Sequence, residues 1–285
     1  MNIYEFSGIA RPIDFKYPTN KLIAILSAMA LVGGFILGLV HGLVLGKSVL
    51  LGLQSAATVF LTWAFAREVD PQEPYSAFVA VGIVSIGFVW GIRPDLLSIA
   101  VVMGAARILI CSCGRQPVIP DALIILGGAA WLGYNQHQGL TVLVVALTFL
   151  LDGLLKPANR LSLLFGFLAL AGGVATFYFF HVIPTISPAL LNTNMVALAL
   201  FLVFMFIAYK RPEAPADSNN FTIARKRLLA FQILLLVWVL LAMPVYGGGS
   251  ENKLFIVWVA MAASSIFAIA NGILSKKAGN VSEPK

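Results

Sequence analysis

Arg107 and Asp152 lie inside long apolar stretches of the sequence, and their chemistry gives the first indication of function. Arg107 falls within the stretch 96–113 and Asp152 within the stretch 140–155. A charged side chain at the centre of a membrane helix costs about 2.5–3.5 kcal/mol on insertion scales, so such residues usually pair and mark substrate or ion pathways. We expect Arg107 and Asp152 to pair with each other and to line a substrate path. The alternative is a static clamp between two helices.

Three connections between apolar stretches mix acids, bases and prolines. They are the segments 67–75, 115–121 and 152–160. Guanidinium groups bind phosphate through paired hydrogen bonds, and carboxylates bind protons or divalent metals. We predict that the three connections form a polar mouth for a substrate; solvated helix caps and anchors to lipid headgroups are the alternative. Besides Arg107 and Asp152, the candidate substrate-path residues are Arg67, Glu68, Asp70, Tyr75, Arg115, Asp121, Asn159 and Arg160.

The sequence lacks the motifs of several common enzyme classes. It holds no HExxH zinc motif, no GxSxG nucleophile elbow and no Walker loop. The three histidines and the pair Cys111 and Cys113 match no metal-ligand spacing. We therefore expect no metal site, no cofactor and two free thiols, and we assign no catalytic residue.

The composition indicates a membrane protein. Of the 285 residues, 60% are apolar and 11% are charged, whereas soluble domains carry about 25% charged residues. A helix needs about 20 apolar residues to cross a bilayer. The sequence has ten apolar stretches of 15 to 24 residues, at 22–45, 48–66, 76–92, 96–113, 118–135, 140–155, 161–183, 195–209, 228–246 and 254–275. We predict an all-α polytopic membrane protein with about ten transmembrane helices.

The basic residues predict the orientation of these helices. With the amino terminus in the cytoplasm, fifteen Lys and Arg residues fall on the cytoplasmic side and three on the outer side, leaving Arg107 within a helix. The positive-inside rule then places both termini in the cytoplasm. The net charge of +7 follows from these basic loops, so we expect contact with lipid headgroups and none with nucleic acid.

The pattern also divides the chain. We predict an interfacial, cytoplasmic amino-terminal segment at 1–21, a helical bundle at 22–276 with a flexible cytoplasmic loop at 210–227, and a cytoplasmic tail at 277–285. Five apolar stretches lie on each side of the midpoint, which is compatible with a 5+5 inverted repeat. In length and helix count alone the chain resembles the ten-helix drug and metabolite transporter superfamily.

Four glycines follow one another at a spacing of four residues near the first apolar stretch. They are Gly34, Gly38, Gly42 and Gly46. Small residues at this spacing allow two helix backbones to approach closely. We predict that this row packs against another helix.

Three functions fit these observations. The first is a secondary transporter or carrier of a small metabolite or lipid, with Asp152 and Arg107 on its path. The second is a membrane-embedded enzyme that acts on a lipid or isoprenoid phosphate at the cytoplasmic face, with Asp70, Asp121 or Asp152 holding a divalent metal. The third is a non-catalytic scaffold that docks through the glycine row. The sequence leaves a homo-oligomer open in each case.

Overall fold

The protein is all-helical in a computed structural model that describes residues 7–11, 13–180, 188–211, 213–216, 221–246 and 250–281. Ten helices of 14 residues or more and one short helix make up most of these residues. They are α1 (Pro18–Val40), α2 (Leu45–Val69), α3 (Ser76–Val89), α4 (Leu96–Ile110), α5 (Ile119–Gln136), α6 (Gly139–Leu154), α7 (Arg160–Phe180), α8 (Pro188–Tyr209), α9 (Arg225–Tyr246), α10 (Ser250–Lys253) and α11 (Phe255–Val281).

Each of the ten predicted apolar stretches corresponds to one long helix, so the all-α prediction is confirmed. Two helix ends differ from the segment boundaries that the sequence suggested. Helix α1 begins at Pro18 rather than after residue 21, since proline suits the first turn of a helix. Helix α11 continues to Val281, past the predicted start of the tail at 277. Residues 1–6 and 282–285, at the ends of the two predicted terminal segments, lie outside the described residues.

The loop between α8 and α9 is shorter than the predicted segment 210–227, because Arg225 already belongs to α9. Its described part folds back on itself. The amide of Ala216 donates to the carbonyl of Phe221 at 2.8 Å, and the amide of Ile223 donates to the carbonyl of Ala214 at 2.8 Å. Residues 212 and 217–220 lie outside the described residues, and the flexibility of this loop stays a prediction.

The helices pack in an alternating, antiparallel order around a centre formed by α2, α4, α6, α9 and α11. Helix α2 contacts α1, α3, α4 and α11, and α6 contacts α4, α5, α7 and α9. Helix α1 lies along α2 at the edge of the bundle and stands off from α3, leaving an apolar groove of about 300 Å³ between them. The core along α2, α4 and α9 is closely packed, with Phe65, Ile108 and Trp238 fully buried.

The three predicted mixed-charge connections meet at one end of the bundle. We term this the charged end and define it by Glu68, Asp70, Arg107, Asp121, Asp152 and Arg227, which ion pairs and hydrogen bonds link across helices. At the opposite end, a polar network that includes the Asp95 carboxylate joins α4, α6 and α9. Gln138 Oε1 accepts from Ser98 Oγ at 2.7 Å and from Thr141 Oγ1 at 2.9 Å, and the amide of Thr141 donates to the Tyr246 hydroxyl at 3.2 Å.

Among the residues that the structure describes, four helices are long and apolar enough to cross a membrane. They are Pro18–Val40, Leu45–Val69, Arg160–Phe180 and Arg225–Tyr246. The apolar helices α3, α4 and α6 have 14 to 16 residues, and α4 and α6 lie inside the bundle.

The glycine row packs as predicted in its first half only. A Cβ atom on Gly34 would lie 2.7 Å from Ser55 Cβ, and one on Gly38 would lie 2.8 Å from Ser48 Cα. The prediction is wrong for Gly42 and Gly46, which have no such neighbours. The reason is that α1 ends at Val40, so Gly42 lies in the turn with φ +73° and Gly46 belongs to α2.

Because α1 and α2 approach closely at Gly38, adding a methyl group there should destabilise the fold. Gly38→Ala should lower the free energy of unfolding by about 1–3 kcal/mol, because the new Cβ meets the backbone of Ser48 and the helices must separate. Thermal unfolding of the purified protein in detergent measures this. Gly33→Ala is the matched control, since a Cβ there meets nothing within 4 Å. Equal losses for both variants would contradict the packing.

Candidate functional site

Glu68 is the centre of the first charged cluster. It lies in the last turn of α2 with its side chain fully buried. Its Oε1 accepts a hydrogen bond from Arg107 Nε of α4 at 2.8 Å and lies 3.6 Å from Arg11 Nη1. Arg67, the preceding residue, is close enough to interact electrostatically with Glu68, Arg107 and Arg11. Positive charge therefore exceeds negative charge around this carboxylate.

Residues 7–11, which we term the amino-terminal strap, cover this cluster. Asp121 at the start of α5 holds the strap in place, since its carboxylate accepts from Ser7 Oγ at 2.5 Å and from the Gly8 amide at 2.7 Å. Gly8 lies against the Gln116 carbonyl, where a Cβ would not fit. The Ile9 carbonyl accepts from Arg107 Nη1 at 3.3 Å. Asp121 therefore acts in this structure as the anchor of the strap.

Four buried polar atoms around Glu68 complete no hydrogen bond among the described residues. They are Glu68 Oε2, Ser112 Oγ, Arg67 Nε and Trp63 Nε1. Ser112 lies next to the Glu68 carboxylate but makes no well-aligned bond to it. The Arg67 guanidinium lies 5.3 Å from the centre of the Trp63 ring. A buried polar atom without a partner costs free energy, so this cluster has the capacity to bind a further polar group.

Asp70 forms a second, weaker pair beside the first cluster. It directly follows α2, and its carboxylate lies 3.4 Å from Arg211 Nη1. Burial raises the pKa of Asp70 to about 6, and the Arg211 guanidinium opposes this rise. The pKa of Asp70 therefore lies closer to neutral pH than that of an exposed aspartate.

Asp152 and Arg107 do not pair, which corrects the prediction from their depth in the sequence. Asp152 Oδ1 instead accepts from Arg227 Nη1 of α9 at 2.7 Å, and Oδ2 accepts from Ser162 Oγ of α7 at 2.6 Å. Arg107 points to α2 and Asp152 to α7 and α9, although α4 and α6 are neighbours. Sequence position determines how deep a residue lies along a helix, but it leaves open which neighbour its side chain faces.

Arg227 is the most extensively bonded side chain at the charged end. Its side chain is 2% exposed. Beyond Asp152, it donates to the carbonyl of Leu109 at 2.6 Å, to that of Leu155 at 2.8 Å and to that of Pro157. The Leu109 and Leu155 carbonyls lie at the carboxyl ends of α4 and α6, where backbone acceptors lack helical partners. The Pro157 carbonyl lies in the turn between α6 and α7. Asp152 and Arg227 thus satisfy each other and terminate two helices, which is the geometry of the static clamp.

The remaining predicted residues lie at the rim of the charged end. Tyr75, Arg115 and Arg160 are exposed. Asn159 precedes α7, and its Oδ1 accepts from the Leu161 amide at 3.2 Å. Arg11 and Arg227 were missed in the sequence because they lie in polar segments beside the apolar stretches. Ser112 and Ser162 were missed because a single serine within an apolar stretch does not indicate a charged partner. Arg227 is the third residue of a basic run, a pattern that predicts solvent exposure.

The two cysteines lie between the clusters. Both are free thiols, as predicted. Burial raises the pKa of Cys111 and of Cys113, an effect that Arg227 and Arg107 respectively oppose. Cys113 Sγ donates to the Ile9 carbonyl at 3.4 Å, so this thiol also holds the strap.

Comparisons of the chain with protein-family models, with curated proteins and with solved structures gave no match.

The Asp152–Arg227 pair predicts a large stability effect. Arg227→Met should lower the free energy of unfolding by about 3–5 kcal/mol, because Asp152 is left buried and unpaired. The double variant Arg227→Met, Asp152→Leu should regain part of this loss. Chemical denaturation in detergent measures both, with Lys226→Met as the control at an exposed neighbour. A double variant no more stable than the single one would contradict the pairing.

The pKa of Asp70 predicts how stability depends on pH. The folded protein binds the Asp70 proton more tightly than the unfolded chain, so this contribution is complete below pH 4 and is lost as pH rises to about 6. The loss amounts to about 3 kcal/mol at 1.36 kcal/mol per pKa unit. Asp70→Asn should remove it, so the variant gains stability relative to the wild type as pH rises. Parallel pH profiles for variant and wild type would contradict this, and Lys226→Gln, at an exposed position of the same end, is the control.

Proposed function

We propose that the protein spans a membrane, with the charged end and both termini in the cytoplasm. Large apolar side chains are exposed along the sides of the bundle, among them Ile25, Met29, Ile124, Phe167 and Phe206, and such a surface needs lipid or another apolar cover. Exposed aromatic residues mark both ends, as at membrane interfaces: Tyr17, Tyr75 and Tyr209 at the charged end, and Trp90, Trp131, Tyr134 and Tyr178 at the opposite end.

The inverted-repeat arrangement belongs to the same proposal. Each half of the chain begins with a closely packed antiparallel pair, α1 with α2 and α6 with α7. Glycines mediate both approaches, since a Cβ on Gly38 would meet Ser48 and one on Gly166 would meet Leu150. The first pair turns at the opposite end and the second at the charged end. This reversal supports halves with opposite orientation.

Within this topology we propose a secondary carrier for a small anionic metabolite or lipid. The observation that supports this proposal is the cluster around Glu68, in which several buried polar atoms lack hydrogen-bond partners. Arg67, Arg107 and Arg11 surround the one buried carboxylate of this cluster. Oxyanions bind to guanidinium groups in such low-dielectric sites. The Asp152–Arg227 clamp and the network at the opposite end have their hydrogen bonds satisfied, so we assign them to holding the helices in place.

The other two functions have less support. An enzyme that uses a metal would need converging carboxylates, but Asp121 is engaged by the strap and Asp152 by the clamp, and no three described His, Cys, Asp or Glu residues come together. A scaffold that docks through the glycine row would leave that row open, whereas Gly34 and Gly38 are covered by α2.

Transport by the reconstituted protein tests the proposal. We expect proteoliposomes to move at least one of orthophosphate, succinate and a fluorescent phosphatidylglycerol faster than protein-free liposomes. Arg107→Gln should slow this by about tenfold or more, because a lost contact to a buried charge is worth at least 1.4 kcal/mol. Lys226→Gln, exposed at the same end, should transport as the wild type does.

Two outcomes would overturn the carrier proposal. One is a folded, inserted protein that moves none of these anions. The other is movement that Arg107→Gln leaves unchanged, since the cluster would then have no part in it.

A further inference from the structure

The unpaired atoms around Glu68 have a specific chemical pattern. Glu68 Oε2 is a buried acceptor without a donor, and beside it Ser112 Oγ and Arg67 Nε are buried donors without acceptors. The side chains of Glu68 and Ser112 are 0% and 1% exposed, whereas Arg67 is half-buried and Arg107 is 14% exposed. A ligand that satisfies this pattern must both accept and donate hydrogen bonds.

The charge balance sets the sign of the ligand's charge. Arg67, Arg107 and Arg11 contribute three positive charges and Glu68 contributes one negative charge. Buried charges are stable when they are paired and hydrogen-bonded. The cluster therefore favours an anionic ligand group, and the proton that this group carries is set by the Glu68 acceptor rather than by the charge balance.

A hydrogen-phosphate monoanion meets both requirements. Its unprotonated oxygens accept from Arg67 and Ser112, and its P–OH group donates to Glu68 Oε2. A carboxylate or sulfate ester of the same charge has no O–H group to donate, so it leaves the Glu68 acceptor unpaired. We propose that Arg67, Ser112 and Glu68 bind a phosphate monoester as its monoanion. Phosphate monoesters would then be the substrate class of the proposed carrier, and this part of the inference rests on the carrier function.

The protonation state gives this site a pH dependence. Phosphate monoesters lose their second proton at about pH 6, and the dianion would repel Glu68. The charged and titratable groups that face Glu68 are Arg107 of α4, Arg11 of the strap, Arg67 of α2 itself and Cys113 of the α4–α5 turn. Affinity should therefore fall by about tenfold for each pH unit above about 6.

A matched pair of ligands tests the proposal. Methyl phosphate and methyl sulfate have the same shape and, near pH 5, the same charge, and they differ in the O–H group. Isothermal titration calorimetry of the protein in phosphatidylcholine nanodiscs should show methyl phosphate binding at least tenfold more tightly than methyl sulfate, because an unpaired buried charged acceptor costs more than 1.4 kcal/mol.

The variant Glu68→Gln identifies the acceptor. Its side-chain oxygen can still accept from Arg107 Nε, while its amide now donates to the ligand. We expect this variant to lose the preference for phosphate over sulfate and to lose the decline of affinity with pH. Ser112→Ala should lower the affinity for methyl phosphate at every pH, and Lys226→Gln should bind methyl phosphate as the wild type does.

A competition experiment distinguishes a phospholipid ligand from a soluble phosphate ester. If the ligand is a phospholipid, phosphatidic acid in the nanodisc competes with methyl phosphate; if it is a soluble ester, phosphatidic acid has no effect. Equal affinity for the two methyl esters, pH-independent binding, or no binding would overturn the inference, even where proteoliposomes carry an anion. Binding as described without transport would retain the site and reject the carrier.

Discussion

The arrangement of the charged end depends on the side chain of Arg227. This residue brings a guanidinium from the first turn of α9 to the carbonyls that end α4 and α6 and to the carboxylate of Asp152. A single buried cation thus supplies the missing partners of two helix ends and one acid. Because each partner would be costly to bury alone, the three helices must meet in this geometry.

Glu68 differs from Asp152 although both are buried acids at the same end. Both oxygens of Asp152 accept hydrogen bonds, and its partner Arg227 is almost fully enclosed. Glu68 has one oxygen without a partner and lies beside arginines that keep some exposure. A pair whose hydrogen bonds are all made stabilises the fold. A positively charged cluster with polar atoms that lack partners can instead form hydrogen bonds to a ligand. This contrast is the reason for placing function at Glu68.

The sequence predicted the number and order of the long helices, because long apolar stretches between basic turns leave few alternatives. It also predicted which turns would meet, since alternating helices bring every second connection to one side. It did not predict side-chain partners. Arg107 and Asp152 lie at similar depth on neighbouring helices but face different directions, and their partners Glu68 and Arg227 lie in charged segments that read as solvated turns. The glycine row failed where α1 ended earlier than its spacing suggested.

The most direct test is an experimental structure in a lipid nanodisc, determined with and without saturating methyl phosphate. The account predicts that the lipid belt surrounds the ten long helices, with the charged end at one leaflet. It also predicts ligand density among Arg67, Ser112 and Glu68, and an Asp152–Arg227 pair that is the same in both states. A bundle that lies outside the bilayer, or a saturated preparation with an empty Glu68 cluster, would contradict it.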